Sequence, residues 1–472
     1  MRITSPLRSL VGADRLRDAD ALLWNIERDP VLRSTIVAVA VLDRPPDVRR
    51  LGARLERAAA AFPALRRVVV RDRLGRPRWV DDRAFDLAYH LRRIACPAPG
   101  TVRDALDLVE PLAAAAFDPT RPLWEFTVVE GLADGRALLV QKLHHSLTDG
   151  VGAIAIAAML LDLERDVIEP VDAGVPDHTP SRSPSLRGMV VGAARAGLRA
   201  LTDPAGTAHD AAVAVRLLAP ALAPCSPLMR GRGTGRRLAV LDVPLDGLRA
   251  ASRAAGGTVN DAFLAAVTGA LRRYHDAYGA PVEELRVTMP VNLRVDDDAI
   301  GGNRFSPVRF TVPVDGETAA QRVQDAAACS HEWRDERALS LTDVLAAALN
   351  RLPTRVTTRV FGGMLKNVDF VATNVPGVPV PVYLAGAKVE REYAFGPPSG
   401  SAVSFALVSH VDTCCIGVNV DTTAVRDPQR LVSCLRESFD EVLALGAVRE
   451  PDADADAGVR NVAVRNVEVA VA

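Results

Sequence analysis

The period of the apolar positions changes repeatedly along the 472-residue chain, and each change marks an element. Thr35 to Asp43 (TIVAVAVLD) is a continuous apolar run with the signature of a buried strand, and Asp47 to Phe62 carries Leu51, Leu55 and Ala59 at helical spacing. Strand-like runs at Arg67 to Asp72 and Pro77 to Asp81 lead to Phe85–His90, and Thr101 to Ala115 repeats the amphipathic helical pattern until Pro119–Arg121 stops it. Phe126 to Glu130 then reads as one arm of a hairpin, joined through Leu-Ala-Asp-Gly to the strand Arg136 to Leu143. An apolar, helix-like run, Val151 to Leu163, follows.

From Glu169 to Arg237 the texture shifts to Pro, Gly, Ser and Arg around two helical patterns, Leu186–Leu201 and His209–Leu218, which reads as a crossover between domains. A second alternating half begins with the strand Leu238–Val243. The helix Thr258–Tyr278 comes next, with Val259, Phe263, Val267 and Leu271 on its apolar stripe and Thr258 and Asp261 spaced as a capping-box variant. Further strands are predicted at Leu285–Leu293, Pro307–Val312, Val368–Asn374, Val380–Val389, Ala402–Ser409 and Cys415–Val420. Further helices are predicted at Ala319–Glu336, Leu341–Leu352 and Pro428–Leu445. Alternation of this kind defines an α/β protein. The expected organisation is an N-terminal half over 1–169, a crossover over 170–236, a C-terminal half over 237–448 and a tail over 449–472 without assigned chemistry.

Composition narrows the function classes. The net charge is -1 with both signs interspersed, which excludes a nucleic-acid binder held by a global positive field. Six cysteines without CxxC spacing read as reduced intracellular thiols, hence a cytoplasmic expectation. No apolar run reaches the roughly 18 residues needed to span a bilayer, so a soluble protein, or one resting on a membrane or lipid-droplet surface, is expected.

The chemistry concentrates where the strand ending at Leu143 meets the next helix-like run, at His144-His145-Ser146-Leu147-Thr148-Asp149-Gly150. Strand alternation sends His144 and His145 to opposite faces, so only one enters a given site. A neutral imidazole can take the proton of a hydroxyl or thiol attacking a carbonyl, and no Gly-x-Ser-x-Gly elbow supplies a serine nucleophile, so direct displacement fits better than an acyl-enzyme. Adjacent histidines without HExxH spacing make a poor metal site, and no metal is expected. A core His-His pair with Asp149 as a helix N-cap stays open on these residues alone.

The segment fills HHxxxDG, the signature of the coenzyme A-dependent acyltransferase superfamily. Arg121-Pro122-Leu123-Trp124-Glu125, Gly257-Thr258-Val259-Asn260-Asp261, Pro290-Val291-Asn292-Leu293-Arg294, Gly302-Asn303 and Thr373-Asn374-Val375-Pro376-Gly377 extend the resemblance to the bacterial wax ester synthase/diacylglycerol acyltransferase family over roughly residues 10 to 446. Asp18–Trp24 is similar to the family's usual start only loosely, and Val378 stands where the family continues with proline.

The resemblance implies two chloramphenicol-acetyltransferase-like α/β domains forming a pseudo-dimer around a central substrate channel. The implied reaction moves a long-chain acyl group from acyl-CoA, a substrate and not a cofactor, to diacylglycerol or a fatty alcohol. It implies His145 as general base, His144 as support for the loop or substrate, Asp149 as a structural residue paired with an arginine, for which Arg294 is the candidate, and Gly150 as the residue that lets the backbone pass close to the thioester. Asn260, Asp261, Asn303, Asn374, Pro122, Leu123 and Trp124 are implied as substrate-binding or supporting positions. Two competing readings remain: an enzyme acylating another hydroxyl or condensing carrier-bound acyl groups, and a catalytically silent lipid-binding paralogue.

Overall fold

The computed structural model describes residues 16–73, 75–147, 156–167, 224–292, 305–332, 349–351 and 353–447. In the N-terminal half these are α1 (Asp18–Ile26), β1 (Thr35–Leu42), α2 (Val48–Ala61), β2 (Arg67–Arg71), β3 (Pro77–Asp81), α3 (Leu87–His90), β4 (Leu91–Ala95), α4 (Val102–Ala114), β5 (Trp124–Glu130), β6 (Ala137–His144) and β7 (Leu161–Asp162). The chain continues with β8 (Arg236–Pro244), α5 (Leu245–Ala254), α6 (Val259–Ala277), β9 (Glu284–Asn292), β10 (Phe305–Pro313), α7 (Ala319–Glu332) and α8 (Thr354–Lys366). It closes with β11 (Phe370–Val375), β12 (Tyr383–Leu384), β13 (Ala387–Phe395), β14 (Val403–His410), β15 (Thr413–Asp421) and α9 (Pro428–Ala447).

Helix ends follow local chemistry. Asp47 accepts from the backbone of Arg49 and Arg50 to start α2, and capping boxes, Thr101 with Asp104 and Thr258 with Asp261, start α4 and α6. Leu51, Leu55 and Ala58 bury one face of α2. By contrast α6 is buried nearly all round, packed against α7 and α9 in the C-terminal core with Phe263, Leu264, Val267 and Leu271 fully enclosed.

Two large sheets form. One has the order β4-β5-β6-β1-β13-β12-β7 and the other β10-β9-β11-β14-β15-β8. The strand β13 belongs by sequence to the second half yet pairs antiparallel with β1 in the first sheet, with Val37 opposite Phe395 and Ala40 opposite Glu392. On the far side of β1 lies β6, with Thr35 opposite His144. The central strand is therefore held by one neighbour from each half. A cluster including Val37, Val39, Val41, Leu238, Tyr393 and Cys415 seals the two halves together.

Several expectations change. The predicted strand Val380–Val389 is two strands, because Ala385 and Gly386 turn at φ of 46° and 88°, and the second runs on to Phe395. The helix-like run Val151–Leu163 ends early in its described part: 156–158 is helical, and Leu161–Asp162 pairs with Tyr383–Leu384. Its apolar composition fits either period, and the available strand partner decides. The strand β4 and the helices α3, α5 and α8 lie where no element was predicted, β4 because the adjacent Arg92 and Arg93 interrupt any alternation in Leu91–Ala95. The predicted crossover helices, the tail and most of Leu341–Leu352 lie outside the described residues.

The crossing strand tolerates little added volume. A Cβ built on Gly417 of β15 would collide with the carbonyl oxygen of Ala394 in β13. Backbone cannot yield as a side-chain tip can, so Gly417→Ala is expected to cost about 2 kcal/mol or more, read as a lower urea midpoint at unchanged slope.

Candidate active site

The segment Pro122–Trp124 builds the floor of the site. Leu123 is fully buried and its carbonyl accepts the His144 N–H at 3.0 Å, so this segment extends the β5–β6 ladder to the double histidine. Trp124 faces the core: its indole N–H donates to Leu65 O at 2.8 Å, and its ring stacks on His90 with centroids 4.3 Å apart. His90 Nδ1 in turn meets Trp124 O at 2.6 Å. Trp124 is thus a core anchor, leaving Leu123 as the residue of the three that touches the motif.

The two histidines are treated differently. His144 is fully buried, with Trp24 and Phe117 set edge-on to its ring at 5.6 Å and 6.1 Å. The Ser146 N–H donates to His144 Nδ1 at 3.0 Å, and Ser146 Oγ lies 2.6 Å from the same nitrogen. An accepting Nδ1 puts the proton of the neutral ring on Nε2, which lies 2.8 Å from Glu27 Oε1 in an off-axis contact. Glu27 also accepts the Ser34 N–H at 2.6 Å, and the Ser34 carbonyl accepts the His145 N–H at 2.9 Å. Glu27 therefore reaches one histidine by side chain and the other through the Ser34 peptide. Burial pushes its carboxyl up, but the His144 imidazole, the Ser34 N–H and Arg33 outweigh this and hold it below the ordinary carboxylate value.

His145 is only half-buried and continues the ladder one step past His144, which places it on the face shared by Leu143 and Gln141. Lys142, on the opposite face, is 2% exposed; its ammonium lies 3.5 Å from Glu125 and over the Phe117 ring. Burial pushes the Lys142 pKa down, partly countered by Glu125.

The other expected residues divide. Thr148, Asp149, Gly150, Arg294 and Asn303 lie outside the described residues, and with them the Asp149–Arg294 pairing. Asp261 spends its carboxylate on the Thr258 cap and on Ser330 Oγ at 3.0 Å, and Asn260 beside it is half-buried. Asn374 is exposed at the end of β11, opposite Leu407 in β14. That strand runs on to His410, whose ring meets Val389 O, so Asn374 lies toward the Leu42 end of β1 and away from His144. A cavity of about 600 Å³ lined by Arg136, Lys388, Tyr393 and His410 lies at this same distant end. Sequence reasoning gave no role to Glu27, Phe117 or Lys142. Only an acidic residue shortly before the first strand pointed to Glu27, and its partner lies more than a hundred residues away. Among the described residues, no group of three or more His, Cys, Asp or Glu residues is arranged to hold a metal.

Two α/β layers joined by a crossing strand, with a half-buried histidine directly after β6, define the fold of the coenzyme A-dependent acyltransferases and condensation domains. The first condensation domain of the calcium-dependent antibiotic synthetase superposes with TM-score 0.61 at 18% identity, covering 92% of this chain and 96% of that one. The wax ester synthase/diacylglycerol acyltransferase from Marinobacter aquaeolei VT8 superposes with TM-score 0.64 at 25% identity, covering 92% of this chain and all of that one. The family model of the wax ester synthase/diacylglycerol acyltransferase catalytic domain matches residues 16–263, and that of the WS/DGAT C-terminal domain matches 301–442. Rv2484c of Mycobacterium tuberculosis, a diacylglycerol O-acyltransferase by name, is 38% identical over 463 residues, 93% of this chain and 94% of its own length. The chain belongs to the wax ester synthase/diacylglycerol acyltransferase family, and it is an acyltransferase.

The Glu27 contacts make an acid-sensitive element. A carboxyl held low in the folded state contributes stability above its unfolded value, near pH 4.5, and loses it as pH falls through the lower folded value. Glu27→Gln is expected to unfold at lower urea than the parent at pH 7, by about 1–3 kcal/mol, with the difference shrinking below about pH 4.5.

Proposed function

We propose that the protein transfers a long-chain fatty acyl group from acyl-CoA to the hydroxyl of diacylglycerol or a fatty alcohol, with His145 as the general base. The observation that carries this reading is the unequal treatment of the two histidines. Both ring nitrogens of His144 are engaged in the interior, by Ser146 and by Glu27, whereas its neighbour is half-buried and held by its backbone against Ser34.

In the reaction, the acceptor oxygen attacks the thioester carbonyl as its proton passes to His145, and the carbon–sulfur bond then breaks to release coenzyme A, which takes a proton. The ester C–O and thiol S–H bonds replace the thioester C–S and hydroxyl O–H bonds, and no acyl-enzyme forms. His144, fixed by Ser146 and Glu27, keeps the turn in place and acts as a positioning residue. Asp149 paired with Arg294 fixes the far side of the same turn, Gly150 leaves room for the thioester, and Asn260 or a backbone N–H serves the developing oxyanion. Asn303, Asn374, Asp261 and the Pro122–Trp124 segment support the two halves around the substrates. The domain reading pairs an N-terminal half over 1–169 with a C-terminal half over 237–448. Among the described residues no helix is long and apolar enough to cross a membrane; a cytoplasmic enzyme meeting its lipid acceptors at a membrane or lipid-droplet surface completes the proposal.

Purified protein is expected to release coenzyme A from palmitoyl-CoA only when diacylglycerol or a long-chain alcohol is present. Release without acceptor, or none with either, counts against the reading. His145→Ala should lower that rate by roughly 10² to 10⁴ while leaving the far-ultraviolet circular dichroism and the melting temperature in place. An undiminished rate refutes the base assignment.

A further inference from the structure

Charges of both signs are interspersed along most of the chain, but no acidic residue lies between Asp343 and Asp369, where Arg351, Arg355, Arg359 and Lys366 fall. The helix α8 occupies the second half of that stretch. Its inner face is closely fitted. Phe361 and Leu365 join Leu22, Ile26 and Leu32 in a small apolar cluster, Thr358 donates to Asn25 O, and a Cβ on Gly362 would run into the Leu32 side chain. The outer face meets nothing. At helical spacing Arg355 and Arg359 form one row and Val356 and Val360 the row beside it, and all four are exposed, the valines at 44% and 48%. Further along the same stripe, a Cβ built on Gly363 finds open space.

This outer face is arranged against the stability of its own helix. Arginines four residues apart repel each other, and a cation in the first turn opposes the partial positive charge of a helix N-terminus. No first-turn acid and no side-chain cap offsets either cost, since Pro353 stands at the N-cap. Among the described residues Arg355 and Arg359 meet no carboxylate. Asp18 and Asp29, at the two ends of the underlying helix α1, are already engaged by Asn350 and Lys366. The positive surface continues past α1. Arg28 is exposed, and burial together with this neighbouring charge pushes the Arg71 guanidinium, which donates to Asn25, below its usual pKa.

We propose that α8 docks the protein on an anionic phospholipid surface, with the Arg355–Arg359 row on the headgroup phosphates and the Val356–Val360 row at the boundary between headgroups and chains. Guanidinium groups suit phosphate oxygens geometrically, and exposed aliphatic side chains beside them suit the layer just below. Two half-exposed valines are too small an apolar area to hold the protein by themselves. Charge supplies the larger share, so the attachment is sensitive to salt. The inference rests on the acyl-transfer reading and gives it a direction. The inner face of α8 packs on Ile26 and Leu32, and between those residues Glu27 reaches His144, while Ser34 just beyond them holds the His145 N–H. The lipid surface is thereby brought to the side of the molecule on which residues 26–34 support both histidines.

The test uses the full chain and vesicles of phosphatidylcholine, alone or mixed with phosphatidylglycerol. In cosedimentation the wild type is expected to bind the anionic vesicles, to leave the neutral ones, and to dissociate as salt is raised. Arg355→Gln with Arg359→Gln should weaken that binding roughly tenfold, and Val356→Ser with Val360→Ser should weaken it by a smaller factor. Neither pair should lower the melting temperature, because neither row has a partner within the fold. Coenzyme A release from palmitoyl-CoA with a short-chain alcohol free in solution should be unchanged in both variants, whereas release with diacylglycerol carried in the anionic vesicles should fall with the binding. Equal binding to the two vesicle types, binding that survives the arginine substitutions, or a melting temperature that falls with them overturns the proposal. A wild-type dimer in sedimentation velocity that the same substitutions dissociate also overturns it, since the face then serves a second copy of the chain. Absence of turnover with the soluble alcohol would instead strike at the acyl-transfer reading and leave the vesicle result standing.

Discussion

The pairing of β1 with β13 is the constraint on which the rest depends. Because β1 is hydrogen-bonded on one side to the strand that delivers the histidines and on the other to a strand supplied by the C-terminal half, the register of the motif is set by both halves. A slip of one residue on either side would exchange the faces of β1. Val37, Val39 and Val41 would leave the seal between the halves, and Ile36 and Ala38 would enter it. The motif's exit segment is held in the same way. Asp162 of β7 binds Arg50 and Arg54 of α2 at 2.9 and 2.7 Å and pairs through its backbone with Tyr383 of β12. The strand that enters the double-histidine segment and the strand that follows it are both tied to the crossing hairpin.

Around that frame, neighbouring residues divide the work. His144 and His145 differ by one position and hence by one face, and the packing amplifies the difference: one ring is enclosed by Trp24, Phe117, Ser146 and Glu27, while the other stays half-buried. Glu27 is the economical part of the design. One oxygen of its carboxylate, Oε1, contacts the Nε2 side of His144 and accepts the N–H of Ser34, the residue whose carbonyl holds His145. Lys142 and Glu125, buried together beneath Phe117, keep a charged pair close to the motif on the opposite face. Separating them would leave an uncompensated buried charge.

Much of this was legible from the chain. The period-two and period-3.6 runs located β1, β6, α2, α6 and most C-terminal strands to within a residue or two, and the Thr258–Asp261 spacing correctly indicated a capping box. Two kinds of feature were not legible. One is partner-dependent: nothing in Ala387–Phe395 says which sheet it joins, because alternation specifies a face and not a neighbour, and Leu161–Asp162 becomes strand only because Tyr383–Leu384 is there to pair with it. The other is distance in sequence. Glu27 looks like an ordinary charged residue until long-range pairing puts it against His144. The dispersed signature segments carried the resemblance, yet the fold spreads them apart, with Leu123 at the motif and Asn374 toward the other end of β1.

The crossing strand also bears on what counts as a unit of this protein. The catalytic family model spans residues 16–263, but a piece cut at its end excludes Ala387–Phe395. Cut there, β1 would become an edge strand with a row of unsatisfied amides and carbonyls beside an exposed valine face, the kind of edge that recruits other chains. The two halves are therefore obligate partners during synthesis as well as in the finished fold. The N-terminal sheet cannot complete itself until nearly four hundred residues have been made, and the centre of the molecule closes only once the C-terminal half has emerged.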